Sequence, residues 1–154
     1  MQIRQVTFPA DGAPLKAIIL DYVAWLDMDL SYRGFDEEMD MFEPLFTLPS
    51  GLFLVAEKDG ELAGCVGLLR HDGLTAEVKR LYVRPEFRGL QLGEKLVRTL
   101  IRCAITHGFV QLILDAVPQT VMAQNLYRAL GFQETAPYYA NPVEGTKFFA
   151  LTLA

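Results

Sequence analysis

Apolar positions along the chain follow two different periods, and the switches between them mark out the elements. Gln2 to Phe8 is short, partly β-branched and followed by Pro9-Ala10-Asp11-Gly12, which predicts a first strand closed by a turn. From Pro14 the apolar residues Leu15, Ile18, Ile19, Tyr22, Val23 and Leu26 fall at helical spacing, so a helix with one buried face follows. Asp36, Glu37 and Glu38 then precede Met39, Phe42, Leu45 and Phe46. Acidic residues ahead of a helical pattern suit the positive end of a helix, and Pro44 breaks or restarts it.

The middle of the chain changes to strand-like runs. Leu52 to Glu57 and Leu62 to Leu69 are joined by Lys58-Asp59-Gly60-Glu61, whose Asp-Gly pair is a strong hairpin signal. His71-Asp72-Gly73 turns the chain into Thr75 to Val83, giving three sequential antiparallel strands. Gly64 and Gly67 mark a bulge or a close backbone approach in the middle one. Strict alternation in the third puts Glu77, Lys79, Leu81 and Val83 on one face and Val78, Arg80 and Tyr82 on the other, and neither set is cleanly apolar. A bulge near Lys79-Arg80 restores Val78, Leu81 and Val83 to one side, so one is expected there.

A Pro- and Gly-bearing turn separates Val83 from a helix that opens at about Leu92 and runs through Glu94. Its buried face is read as Leu92, Leu96, Val97, Leu100, Ile101, Ala104 and Ile105, and it ends at His107-Gly108. Phe109 to Ala116 is a buried strand, so strand, helix and strand make a right-handed crossover whose strands are parallel or splayed side by side. Thr120 is the expected N-cap of a helix over Val121 to Leu130, which stops at Gly131. Phe132 to Glu134 resumes a strand, an aromatic loop spans Pro137 to Gly145, and Thr146 to Leu153 closes the set.

No repeat or linker divides this pattern, so residues 1–154 are read as one domain, a size that buries roughly two thirds of the unfolded chain's surface. Half the residues are hydrophobic (51%) and 21% are charged, which excludes disorder as the main state. A net charge of −5 repels nucleic acid, so no nucleic-acid partner is expected. Lys79, Arg80, Arg84 and Arg88 nevertheless cluster, either as a solvated basic face or as a site for a small polyanion. Cys65 and Cys103 sit inside apolar patterns without metal spacing and read as core. With no signal peptide and no long apolar span, a reduced cytoplasmic setting, no membrane and no metal are the expectations.

The stretch Arg88-Gly89-Leu90-Gln91-Leu92-Gly93 joins a strand end to a helix start. Free backbone N–H groups and the helix dipole favour an anion there, and the two glycines let main chain approach it closely. The order β-α-α-β-β-β-α-β-α-β-β around this turn resembles the GNAT superfamily of acyl-CoA-dependent N-acyltransferases. The residues that carry the resemblance are Leu81-Tyr82-Val83-Arg84-Pro85-Glu86-Phe87-Arg88-Gly89-Leu90-Gln91-Leu92-Gly93 and Ala123-Gln124-Asn125-Leu126-Tyr127-Arg128-Ala129-Leu130-Gly131-Phe132. It implies an α/β (α+β mixed) fold with a central mixed, mostly antiparallel sheet of six to seven strands. Strands four and five would be splayed, with about four helices flanking the sheet.

The family's pyrophosphate signature reads Arg or Gln, two residues, Gly, one residue, then Gly or Ala. Arg88 and Gly93 match its ends, while Gln91 replaces the inner glycine and is expected in the first helical turn, where a side chain costs little. The resemblance implies acetyl-CoA as co-substrate, held by Leu81 to Val83 and by Arg88 through Glu94. Thr120 stands where the family often has a pantetheine-binding asparagine, with Asn125 one turn on in compensation.

Acyl transfer to an amine needs an uncharged nucleophile, a stabilised oxyanion and a proton for the leaving thiolate. By resemblance, main-chain N–H near Leu81 to Val83 polarises the thioester, Tyr127 is the general acid and Glu77 takes the amine proton through water. Tyr32, Phe35, Tyr138, Tyr139 and Asn141 would line the acceptor site, and Asp36, Glu37 and Glu38 near its mouth hint at a cationic small molecule or peptide terminus. The implied activity is direct acetyl transfer to a primary amine in a ternary complex. A CoA-binding module without catalysis, and a homodimer, both stay open.

Overall fold

A computed structural model describes residues 1–153. Among them, seven strands form one sheet: Gln2–Gln5 (β1), Gly51–Lys58 (β2), Glu61–Arg70 (β3), Thr75–Val83 (β4), Gln111–Ala116 (β5), Gln133–Thr135 (β6) and Lys147–Thr152 (β7). Their spatial order is β1-β2-β3-β4-β5-β7-β6. Every neighbouring pair is antiparallel except β4 with β5. The helices are Gly12–Leu26 (α1), Phe35–Asp40 (α2), Phe42–Leu45 (α3), Leu92–Thr106 (α4) and Val121–Ala129 (α5). This is the expected mixed α/β architecture.

Apolar clusters cover the sheet on both faces. One packs Leu96, Val97 and Leu100 of α4 against Leu54, Val66 and Val78, and the other packs Ile18 and Ile19 of α1 with Phe42 against Phe53, Val55 and Tyr82. The β2–β3 hairpin turns on Asp59 (φ 53°) and Gly60 (φ 81°), the two left-handed residues that a type I′ turn needs. A methyl on Gly67 would lie 2.6 Å from the Phe53 ring, and one on Gly64 would lie 2.9 Å from the Tyr82 carbonyl. Both glycines therefore mark close approaches.

The bulge falls where alternation failed. Cys65 pairs with Tyr82 and Gly67 with Lys79, so Val66 faces both Arg80 and Leu81, and Arg80 takes a left-handed φ of 58°. The extra residue switches the parity of β4 and places Ala76, Val78, Leu81 and Val83 against one apolar cluster. Pairing between β4 and β5 is confined to Thr75–Glu77 against Gln111–Ile113. Beyond Glu77 the two strands part, and β4 keeps an unpaired edge.

Several local expectations change. β1 stops at Gln5, ahead of a cis Phe8–Pro9 peptide. The α2–α3 interruption lies at Met41 rather than at Pro44, because Pro44 sits in the first turn of α3, where a missing N–H costs nothing. Ile105 is 43% exposed at the end of α4. Thr120 occupies the N-cap position of α5, but its hydroxyl donates to the Val117 carbonyl 2.8 Å away instead of capping the helix.

Candidate active site

The chain leaves β4 through a short 3-10 turn at Pro85–Phe87 and an extended Arg88, then passes through Gly89 (φ 89°) and Gln91 (φ 56°, ψ 28°). Gln91 is thus the left-handed N-cap of α4 and not a first-turn residue. A left-handed residue is what turns an extended chain sharply into the helix. The first ladder bond runs from the Lys95 N–H to the Gln91 carbonyl, so the N–H groups of Leu92, Gly93 and Glu94 precede the ladder at the positive end of the helix.

These residues form one wall of a cleft of about 660 Å³, together with Leu81, Tyr82, Val83 and Arg88; Thr120 to Ala123 and Leu126 form the facing wall. Leu90 lies outside the lining and is 48% exposed. Asn125 is exposed, lies outside the lining and accepts from Arg128 Nη1 at 3.5 Å. Trp25, which carried no signal in the sequence, closes one side of the cleft. The Arg88 guanidinium rests over it at 5.4 Å, and Arg88 Nε donates to the Val83 carbonyl. The other cluster cations are engaged elsewhere. Arg84 pairs with Asp21 at 2.9 Å, and Lys79 and Arg80 pair with Glu38.

A smaller cavity of about 60 Å³ adjoins the cleft, with Leu81, Thr120 and Ala123 lining both. Tyr127 lines this inner cavity from α5. Burial pushes its phenol well above the ordinary range, so it stays protonated and able to donate. Tyr32 lines the cavity too, whereas Phe35 packs into the apolar clusters with the Arg80 guanidinium 5.3 Å above its ring.

Charged side chains gather beside this cavity. Glu77 is buried and accepts hydrogen bonds from Arg33 and from the Tyr138 hydroxyl, each at 2.5 Å. Arg33 also lies 3.7 Å from Asp115 and stacks 4.2 Å over the Tyr139 ring. The Tyr139 hydroxyl donates to Asp115 and accepts from Asn141 Nδ2. Burial, with Glu77 beside it, holds the Tyr138 phenol well above its usual range, and burial with Asp115 does the same for Tyr139.

On the other side Lys79 Nζ sits 3.0 Å from Glu38 and Arg80 sits 3.1 Å from it. Burial opposes ionisation of Glu38, but the two cations outweigh it and hold its carboxyl below the usual range. Burial and the neighbouring Arg80 lower the Lys79 ammonium. Glu38 is therefore consumed within the protein and does not face an incoming cation. Arg33 and Asp115 were missed in the sequence. Each looks like an ordinary surface charge until the fold brings together residues as distant as Arg33 and Glu77.

The chain matches the model of the acetyltransferase (GNAT) family over residues 19–132. It belongs to that family. An uncharacterized N-acetyltransferase of Schizosaccharomyces pombe is 34% identical to this GNAT chain over 156 residues, covering 100% of it and 96% of the relative. The crystal structure of an acetyltransferase from Streptococcus agalactiae shares the fold with a TM-score of 0.80 at 22% identity, covering 99% of this chain and 98% of that one. A GNAT family acetyltransferase from Elizabethkingia anophelis, solved with acetyl-CoA bound, superposes with a TM-score of 0.65 at 19% identity, covering 99% and 97%. Among the described residues, no helix is long and apolar enough to cross a membrane, and no group of three or more His, Cys, Asp or Glu could hold a metal ion.

Proposed function

We propose that residues 1–154 form one N-acetyltransferase domain that moves an acetyl group from acetyl-CoA directly to a primary amine of a small molecule or peptide within a ternary complex. The observation that carries this reading is the continuity of the cleft. Its outer end is a left-handed turn with free helix N–H groups, and its inner end meets a cavity holding Tyr127 and flanked by buried charge.

In this reading the pyrophosphate lies on the N–H groups from Gly89 to Glu94, and Arg88 swings from Trp25 to meet it. Pantetheine runs along the β4 edge that β5 leaves unpaired, between Leu81–Val83 and Thr120, and main-chain N–H there polarises the thioester carbonyl. The amine nitrogen bonds to the acyl carbon as its C–S bond breaks. Tyr127 gives the thiolate its proton, and Glu77, through water, takes the proton lost by the amine. No thiol ester forms on the protein. Cys65 is fully buried and burial pushes its thiol up to about 12, while Cys103 lies on α4 away from the cleft lining.

Release of free CoA thiol from acetyl-CoA, followed across a panel of primary amines, tests the proposal. Amine-dependent release supports it. Tight CoA binding with no release from any amine favours instead a CoA-binding module without catalysis.

A further inference from the structure

The charges around the inner cavity are balanced overall but not locally. Arg33 is shared between two carboxylates, Glu77 and Asp115, so that side carries one excess negative charge. Glu38 is shared between two cations, Lys79 and Arg80, so that side carries one excess positive charge. The side chains of Glu38, Glu77, Lys79 and Arg80 are each no more than 9% exposed, while Arg33 and Asp115 are 17% and 19% exposed, so water does little to damp the positive pole and damps the negative pole only in part. Tyr138 and Tyr139 face the negative side as neutral donors, since both phenols are raised far from ionisation. The poles meet where Lys79 Nζ lies 3.9 Å from Glu77 Oε1. Arg33, Lys79, Arg80 and Asp115 all reach the cavity wall, which Tyr127 shares.

We infer that the amine acceptor is a zwitterion, an α-amino acid or another small compound carrying amine and carboxylate a few bonds apart, with its amine toward Glu77 and Asp115 and its carboxylate toward Lys79 and Arg80. The inference rests on the acetyltransferase reading and specifies its substrate. A plain alkylammonium would match the negative side but leave the buried positive excess uncompensated, and a plain anion would do the reverse. A zwitterion matches both, and the short distance between the poles fits charges held close together on one small molecule. The positive side also explains why the acidic run at Asp36 to Glu38 does not select a cation: its one buried member is already outnumbered by Lys79 and Arg80.

Matched triplets test this: an α-amino acid, its carboxamide and its decarboxylated amine, for example alanine, alaninamide and ethylamine, extended over the common side chains. The measurement is kcat/KM for thiol release at saturating acetyl-CoA. The amino acid is expected to exceed both analogues by about tenfold or more, which one lost ion pair in a largely buried site readily supplies. The carboxamide arm is conservative, because its more acidic ammonium leaves more uncharged amine at neutral pH; the decarboxylated amine is more basic than the amino acid, so that arm is compared at equal concentrations of uncharged amine. In Lys79→Met, which leaves Glu38 paired one-to-one with Arg80, the ratio of amino-acid to carboxamide kcat/KM should shrink toward unity, whatever the change in either rate alone. If the variant does not fold, the wild-type triplets decide alone. Release with analogues equal to or better than amino acids overturns the inference and leaves the acetyltransferase reading standing. A preference unchanged in Lys79→Met overturns the assignment of the positive pole, and no release with any compound overturns both readings.

Discussion

At the scale of single residues, Gln91 shows where sequence and backbone disagree. The family signature has glycine there, and the left-handed φ of 56° gives the reason, since a side chain at that conformation crowds its own carbonyl. Nothing in a glutamine announces φ > 0, so its sequence position alone points to the first helical turn. Gln91→Gly is expected to raise stability by about 0.5–1 kcal/mol, or about 1–4 °C in thermal midpoint; a lower midpoint in a thermal melt would show that the glutamine relieves the strain through contacts of its own. Tyr127 stood out only through the resemblance of its Leu-Tyr element to the family, and its buried phenol lines the cavity. Tyr127→Phe should lower kcat by about a hundredfold while leaving CoA affinity unchanged, measured by steady-state kinetics beside calorimetric binding. Loss of binding in place of turnover would make it a packing residue. Arg33 and Asp115 were not readable, because each acquires meaning only from partners on other elements.

At the scale of elements, most boundaries follow from periodicity, and the bulge in β4 was readable for a physical reason: no strict alternation could bury Val78, Leu81 and Val83 together. The cost of the close β2–β3 approach should also be measurable. Gly67→Ala sets a methyl 2.6 Å from the Phe53 ring and is expected to destabilise by about 1–3 kcal/mol in urea unfolding, with a value near zero showing that Phe53 can swing aside. The start of the chain is held differently. Arg4 on β1 makes two hydrogen bonds to Asp11 ahead of α1 and a third to Glu57 on β2. Its bonds, with the Thr7 N–H adding to them, lower the Asp11 carboxyl from 3.8 to about 2. A depressed carboxylate contributes stability above its unfolded pKa and loses it as pH falls through the folded value, so this tie should weaken between about pH 4 and pH 2. Asp11→Asn should flatten the stability–pH slope in that window by up to one proton, read from denaturant unfolding at stepped pH; an unchanged slope would show that the pair contributes nothing.

At the scale of the whole molecule, the order of strands was legible up to the splay, and its consequence was not. Pairing of β4 with β5 stops at Glu77, and the gap opens the β4 edge to the cleft and gathers side chains from the α1–α2 connection, β4, β5 and the β6–β7 loop into one charged cluster. No local pattern encodes a site assembled from so many elements. The net charge of −5 says little about it, because the cluster is neutral as a whole and polar inside. The cleft and the inner cavity share Leu81, Thr120 and Ala123, which makes them one continuous site for cofactor and acceptor in the proposed reaction. A crystal structure of the protein with acetyl-CoA tests it most directly. The pyrophosphate is expected on the N–H groups from Gly89 to Glu94, pantetheine between Leu81–Val83 and Thr120, and the acetyl carbon at the cavity mouth beside Tyr127. A cofactor bound elsewhere, or an acetyl group turned away from that cavity, would contradict a single continuous site.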